Sequence, residues 1–109
     1  MAQSYKVLGQ VNPAASTATT LYTVPASTST VVSTITICNQ AAAAATFTIA
    51  VRVAGATLTS SQYIAYATNI NANDTIALTL GVTLAATDVI TVLASTATMS
   101  FNAFGSEVV

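Results

Sequence analysis

The sequence predicts an all-β fold, an antiparallel β-sandwich of jelly-roll or immunoglobulin-like type with about seven to eight short strands. Apolar residues recur with a period of two rather than about 3.6, which is typical of strands with one buried face. Turn residues separate the alternating runs at spacings near ten residues, as in sandwiches. A chain of 109 residues is the size of one domain.

The alternating runs, in chain order, are 20–24, 31–38, 46–53, 62–67, 75–80, 88–94 and 98–104. The run 88–94 is apolar on both faces apart from Thr91, which is typical of a central strand. In the second and third runs the side chains predicted to face the core are Ile35, Ile37, Phe47, Ile49, Val51 and Val53. Their neighbours in the sequence, mostly threonine, are predicted to form a neutral outer face.

The segments between these runs predict the domain organisation. Residues 39–45 contain five consecutive alanines, too few to nucleate a useful helix, and are interpreted as a hairpin connection between two neighbouring strands. Residues 1–19, with Pro13 and a stretch of small polar residues, are predicted to be an extended N-terminal arm. Residues 20–109 are predicted to form a single sandwich domain.

The chain has very few charged residues. They make up 5% of the sequence, against about 25% in ordinary domains. A surface with a net charge near zero has little electrostatic repulsion, so we predict a protein that functions in an assembly, as a homo-oligomer or with other proteins. The two basic residues, Lys6 and Arg52, cannot neutralise a row of phosphates, which argues against nucleic acid as a partner.

Other features of the sequence limit where the protein is expected to be located. No run of about 18 apolar residues is present, so we predict no membrane-spanning helix. The first residues lack a cationic segment followed by an apolar one, and we expect no secretory signal. The single cysteine, Cys38, excludes an internal disulfide and is predicted to be a small buried hydrophobic residue.

The sequence offers no pair of residues for catalysis, since it has no histidine and only three well-separated carboxylates. Asp74 and Asp88 each precede a predicted strand, and such residues usually accept hydrogen bonds from turn N–H groups. The alternative, a cation site that adds Asn71 or Asn73, requires the two strand ends to be adjacent. We predict a protein that is not an enzyme, with no catalytic residue, cofactor or metal.

A set of residues is nevertheless suited to contacts with other proteins. Tyrosine is enriched at interfaces, and Tyr63 and Tyr66 are predicted to lie on opposite faces of one strand, so that at least one is exposed. Arg52 is either a solvated strand residue or half of an ion pair between subunits. The candidate interface residues are Tyr63, Tyr66, Arg52, Thr46, Thr48, Val108 and Val109.

Thr-x-Thr pairs suggest a second class of function. They occur at 17–19, 28–30, 34–36, 46–48, 57–59 and 96–98. Ranks of threonine on a flat sheet are how several ice-binding proteins contact ice, but that mechanism needs a strict coil repeat. The spacing here is irregular, and the high strand propensity of threonine at outward positions is the favoured explanation of the pairs.

Two longer segments resemble a known group of proteins. "LYTVPASTSTVVSTITICN" and "YIAYATNINANDTIALTLGVTLAATDVITVLAST", with the C-terminal "MSFNAFGSE", resemble small virion-associated structural proteins of tailed bacteriophages. The likeness covers residues 20–107 and includes no catalytic motif. It implies a β-sandwich that attaches to a virion.

The resemblance leads to the main functional hypothesis, a capsid decoration (cement) protein that stabilises the phage head. Its partners would be further copies of itself and the major capsid protein, and a trimer is suggested because small cement proteins often occupy threefold positions. The alternatives are a tail, baseplate or host-recognition component of the virion, and an ice-binding protein.

Overall fold

A computed structural model describes residues 3–79 and 81–109 and shows two antiparallel sheets packed face to face. The predicted all-β antiparallel sandwich is therefore confirmed. The strands are β1 (Gln3–Val11), β2 (Thr19–Thr23), β3 (Ser29–Asn39), β4 (Ala45–Arg52), β5 (Tyr63–Ile70), β6 (Thr75–Leu78), β7 (Val82–Leu84), β8 (Val89–Ala94) and β9 (Met99–Val108). Among these residues no helix has the length and apolar character needed to cross a membrane.

The strands divide between two sheets that do not follow chain order. Sheet A has the order β1-β9-β3, and both β6 and β7 pair with the remaining edge of β3. Sheet B has the order β2-β8-β4-β5. Strands β3 and β4 are therefore consecutive in the chain but lie in opposite layers. Strand β6 pairs with the second half of β3 and β7 with its first half.

The core lies between the sheets and is built from the inward residues of each alternating run. Ile35, Ile37, Phe47 and Ile49 are fully buried, as predicted. Val51 is half-buried and packs against this core. The prediction that Val53 faces the core is wrong, because this residue is 66% exposed. Strand β4 ends at Arg52, and a 3₁₀ turn over Val53–Gly55 takes the chain out of the sheet.

The alanine-rich segment is not a hairpin, and that prediction is wrong. Residues 40–44 cross from sheet A to sheet B. The buried side chain of Asn39 holds this crossing, because its amide donates hydrogen bonds to the carbonyls of Ala43 at 2.9 Å and Asn71 at 3.2 Å. Its Oδ1 accepts a hydrogen bond from the Ala41 N–H at 3.1 Å. One buried amide therefore satisfies backbone groups of two connections.

The prediction of an extended arm over residues 1–19 is wrong for residues 3–11. Residues 3–11 form β1, which pairs with β9 from Gln3 opposite Val108 to Val11 opposite Phe101. A register shift between Val7 and Gly9 interrupts the alternation and hides the strand in the sequence. Residues 1–2, and Leu80 of the predicted run 75–80, lie outside the described residues.

Gly9 and Pro13 show how this segment joins the sandwich. A Cβ atom at Gly9 would lie 2.1 Å from the carbonyl oxygen of Leu21 on β2. Only glycine permits this approach of β1, in sheet A, to β2, in sheet B. Pro13, which the sequence suggests is outside the core, is buried. The N-terminal segment is thus a structural strand of the domain.

Replacement of Asn39 by alanine should destabilise the fold strongly. The carbonyls of Ala43 and Asn71 and the Ala41 N–H would lose their partner, and we expect a loss of about 2–3 kcal/mol in the free energy of unfolding. Urea denaturation followed by circular dichroism measures this loss. The matched control is Asn102→Ala, which changes a half-buried asparagine on β9. Equal midpoints for the two variants would contradict the role given to Asn39.

Candidate functional site

Four of the seven candidate interface residues surround one groove on the outer face of sheet B. Thr46 and Thr48 of β4 lie in its floor, and Tyr63 and Tyr66 of β5 form one wall. The groove encloses about 270 Å³. Thr91 of β8 extends the floor, so β4 and β8 together supply a row of hydroxyl groups.

The two tyrosines lie on the same face of β5, and the prediction of opposite faces is wrong. Their ring centroids are 4.9 Å apart with an interplanar angle of 57°. Ala65 pairs with Ile49 and Tyr63 with the next residue, Ala50, so Ile64 is an extra residue in β5. An extra residue reverses the alternation of side chains beyond it, which brings Tyr66 to the side of Tyr63.

A second irregularity in β5 adjoins Tyr66. Ala67 has a φ of 46°, and its N–H donates a hydrogen bond to the Thr48 hydroxyl at 3.0 Å. A left-handed conformation in a residue other than glycine costs on the order of 1 kcal/mol. Residues with Cβ atoms rarely adopt it without a compensating contact, so Thr48 both lines the groove and fixes the bulge that shapes its wall.

The loop before β5 supports the same wall from the other end. Gln62 closes the turn Ser60–Gln62, since its Oε1 accepts a hydrogen bond from the Thr59 N–H at 2.8 Å. Its Nε2 donates to the Thr57 carbonyl at 3.1 Å. Leu58, which lines the groove, lies inside this closed loop. The wall is therefore fixed without a ligand.

Arg52 and Asp88 have structural roles at the turn after β4. The Arg52 guanidinium donates to the carbonyls of Ala56 at 2.7 Å and Gly55 at 2.8 Å. The buried Asp88 carboxylate accepts hydrogen bonds from the Ala54 and Ala85 N–H groups, both at 2.9 Å. The prediction that Asp88 caps a turn is confirmed. Arg52 is therefore not a freely solvated strand residue, and the ion pair between subunits stays a prediction.

Asp74 also accepts a turn hydrogen bond, from the Thr75 N–H at 2.8 Å, as predicted. Its backbone carbonyl accepts a hydrogen bond from the Asn39 N–H, which places it at the end of the sandwich where the chain crosses between sheets. Asp88 lies at the opposite end, beside the last residues of β4. The two strand ends are not adjacent, so the cation site considered from the sequence is not assembled.

A polar network that the sequence did not reveal joins the two sheets at the Asp88 end. The Tyr22 hydroxyl of sheet B donates to the Glu107 carboxylate of sheet A and lies 2.8 Å from the Thr30 hydroxyl. Lys6 forms an ion pair with the other oxygen of Glu107. The hydrogen bonds from Lys6 and Tyr22 lower the pKa of Glu107. Burial, with the hydrogen bond to Glu107, raises the pKa of Tyr22 to about 12.

The outer face of sheet A carries a second candidate surface, here called the apolar face, which consists of Tyr5, Val7, Val31 and Phe104. Tyr5 and Val31 both oppose Ser106, and Val7 opposes Phe104, so the four residues occupy adjacent rows. Tyr5 is 80% exposed, Val7 49% and Val31 40%. The sequence pattern that could have indicated this surface is the alternation Tyr5-Lys6-Val7. The alternation ends at the bulge before Gly9.

The remaining predicted residues are scattered. Val108 ends β9, opposite Gln3, and Val109 is 69% exposed beyond it. Cys38 is half-buried on the outer side of β3, so the prediction of a buried residue is wrong. Its position follows from Ile37 and Asn39, which face inward on either side.

The Thr-x-Thr pairs do not form one array. The pair 34–36 lies on β3 in sheet A, whereas 46–48 lies on β4 in sheet B. Thr28 and Thr30 are buried. Because the pairs occupy different sheets, they do not combine into one continuous ladder.

The Tyr22 network should make stability depend on pH at both extremes. Since the pKa of Glu107 is lowered from 4.5, its contribution is present above pH 4.5 and is lost as the pH falls through the folded-state value. Since the pKa of Tyr22 is raised from 10.0 to about 12, its contribution is present below pH 10 and is lost as the pH rises towards 12. Urea denaturation across pH measures both declines.

The variant Tyr22→Phe should reduce the alkaline decline, because the titrating hydroxyl is removed. The matched control Tyr5→Phe changes an exposed tyrosine and should leave the decline as it is in the parent chain. An unchanged alkaline decline in Tyr22→Phe would show that the network does not set this dependence.

Comparison with known proteins adds no relative to this picture. No protein-family model, no curated protein and no solved structure matches the chain.

Proposed function

We propose that the chain is a non-enzymatic structural subunit of a virion, a decoration protein that binds an assembled phage capsid together with further copies of itself. The main observation in support is the apolar face, which has no partner among the described residues of the subunit. In addition, almost all charged groups have their partners inside the same subunit. The resemblance of residues 20–107 to virion-associated structural proteins of tailed phages supplies the biological setting.

Four of the five charged groups have partners within the subunit. Lys6 pairs with Glu107, and Arg52 and Asp88 bond to backbone groups of neighbouring turns. Only Asp74 is both exposed and without an ionic partner among the described residues. Close packing of many copies therefore meets little electrostatic repulsion.

The apolar face supplies the attraction. Its exposed residues lie on two strands of one sheet, and exposed apolar groups that cluster in this way mark protein contacts. Among residues 3–79 and 81–109, strand β1 pairs only with β9, so its second edge is open for strand pairing with another molecule. Contacts of this kind would stabilise a shell by mass action, because the subunit binds the assembled state and not its dissociated parts.

A tail or host-recognition component of the virion is the second candidate. The tyrosine-walled groove favours it, since a preformed groove with exposed aromatic residues is typical of a site that binds a ligand. Mass spectrometry of separated heads and tails distinguishes the candidates. Recovery with heads supports decoration, and recovery only with tails contradicts it.

The variant Val7→Lys tests the apolar face directly. Burial of an unpaired ammonium in the contact should weaken binding by about tenfold or more. Co-sedimentation of the purified subunit with heads that lack it measures attachment, and sedimentation velocity measures self-association. The control Thr68→Lys adds the same charge at an exposed position of β5 and should bind normally. Normal binding by Val7→Lys would remove the apolar face from the interface.

Ionic strength gives an independent check of the same contact. Apolar and neutral hydrogen-bonded contacts are not screened by salt, so attachment should survive a rise from low to molar salt. Release at moderate ionic strength would indicate charged contacts and contradict the proposal.

A further inference from the structure

We propose that the groove on the outer face of sheet B binds a neutral saccharide. This inference goes beyond the structural role, since it concerns the opposite sheet from the apolar face and holds for a subunit on a head or on a tail. It rests on the shape of the groove, on the chemistry of its lining and on the irregular strand that forms its wall.

The irregularities of β5 shape the wall of the groove. The extra residue at Ile64 places Tyr66 beside Tyr63, and the left-handed Ala67 follows directly. The result is a Tyr66 ring that is 69% exposed, held over a groove by backbone distortion. Bulges and strained residues of this kind concentrate at functional sites, where they aim side chains at a ligand.

The lining has two kinds of chemistry. The rings of Tyr63 and Tyr66 and the side chain of Leu58 provide apolar surface, and Thr46, Thr48 and Thr91 provide hydroxyl groups in the floor. A sugar ring matches this pairing, because it has apolar C–H faces and an edge of hydroxyls. Tyrosine suits such a ligand, since it combines a rigid apolar ring with a polar end.

The charge of the groove limits which saccharide fits. The described residues that line it include no carboxylate, ammonium or guanidinium. The nearest cation, Arg52, is held by the carbonyls of Gly55 and Ala56 and reaches only the Thr91 hydroxyl, at 3.4 Å. A carboxylated sugar or a phosphate would lose hydration without gaining an ionic partner, so the ligand is uncharged.

The geometry of β5 disfavours a peptide as the occupant. An extended peptide binds a sheet edge through a regular row of backbone groups. β5 is an edge strand of sheet B, but its pairing with β4 shifts register between Phe47 and Ile49 and again between Ile49 and Ala50. Bulges of this kind twist an edge away from strand pairing. The groove beside it remains open to a compact ligand.

Titration of the uniformly ¹⁵N-labelled protein with maltose, cellobiose, lactose and N,N′-diacetylchitobiose tests the inference by amide chemical shifts. At least one neutral disaccharide should give saturable shifts, with an affinity on the order of millimolar for so small a contact. The shifts should map to residues 46–48, 57–67 and 91–93. Sialyllactose, which carries a carboxylate, should bind no more tightly than lactose.

Two variants and a matched control complete the test. Tyr66→Ala should weaken binding about tenfold, since an aromatic wall is lost at an exposed position. Thr46→Val keeps the shape of the floor, removes one hydroxyl and should weaken binding severalfold. The control Val53→Ala shortens an exposed apolar side chain in a turn outside both surfaces and should bind like the parent chain.

Several results would overturn the inference. They are the absence of saturable shifts with all four neutral sugars, shifts centred on Tyr5, tighter binding of sialyllactose than of lactose, and full affinity in Tyr66→Ala. The circular dichroism spectrum and urea midpoint of each variant establish that it is folded. Tyr66 and Thr46 are not in the buried core, so these variants should remain folded.

Discussion

The structure depends on the burial of one face of each sheet against the other. Phe47 of sheet B and Phe101 of sheet A meet edge to face with centroids 6.4 Å apart, and both are fully buried. Each such side chain contributes roughly 1.5–3 kcal/mol when it leaves water. Because side chains alternate along a strand, every strand that fills this core must also present a second set of residues outside. The residues of the outer faces do not pack in the core, so their chemistry can differ from that of other sandwiches.

The chain has five charged residues, and four of them act at a single end of the sandwich. Arg52 and Asp88 close the turn after β4, while Glu107 joins Lys6 of β1 to Tyr22 of β2. At the other end the neutral amide of Asn39 fixes the crossing between the sheets. The carboxylates of Glu107 and Asp88 therefore connect chain segments of the two layers.

The two outer faces point in opposite directions and differ in character. Sheet A presents the exposed side chains of Tyr5, Val7 and Val31 in adjacent rows, whereas sheet B presents a groove walled by a bulged strand. In the proposed assembly, sheet A lies against the neighbouring protein. The groove of sheet B then faces away from that contact and stays accessible to a ligand. One subunit can thus combine attachment with recognition, because the core separates the two surfaces.

The sequence alone determined the class of fold and most of the core, because period-two alternation is a local property of strands. Ile35, Ile37, Phe47 and Ile49 are buried as predicted, and Asp74 and Asp88 accept turn hydrogen bonds. A short sequence motif predicts these features because each depends on residues close in the chain. The composition likewise predicted a surface with little charge.

Only the tertiary structure decided which strands are neighbours and which side chains meet. Alternation does not show that the alanines of 40–44 cross between layers, because a hairpin and a crossing require similar lengths of chain. Nor does it place Tyr63 beside Tyr66, since that arrangement depends on the extra residue at Ile64, which changes the side of β5 on which Tyr66 lies. The Tyr22–Glu107 contact joins residues 85 positions apart. Pairings at such distances are set by the packing of the whole domain, and no local pattern records them.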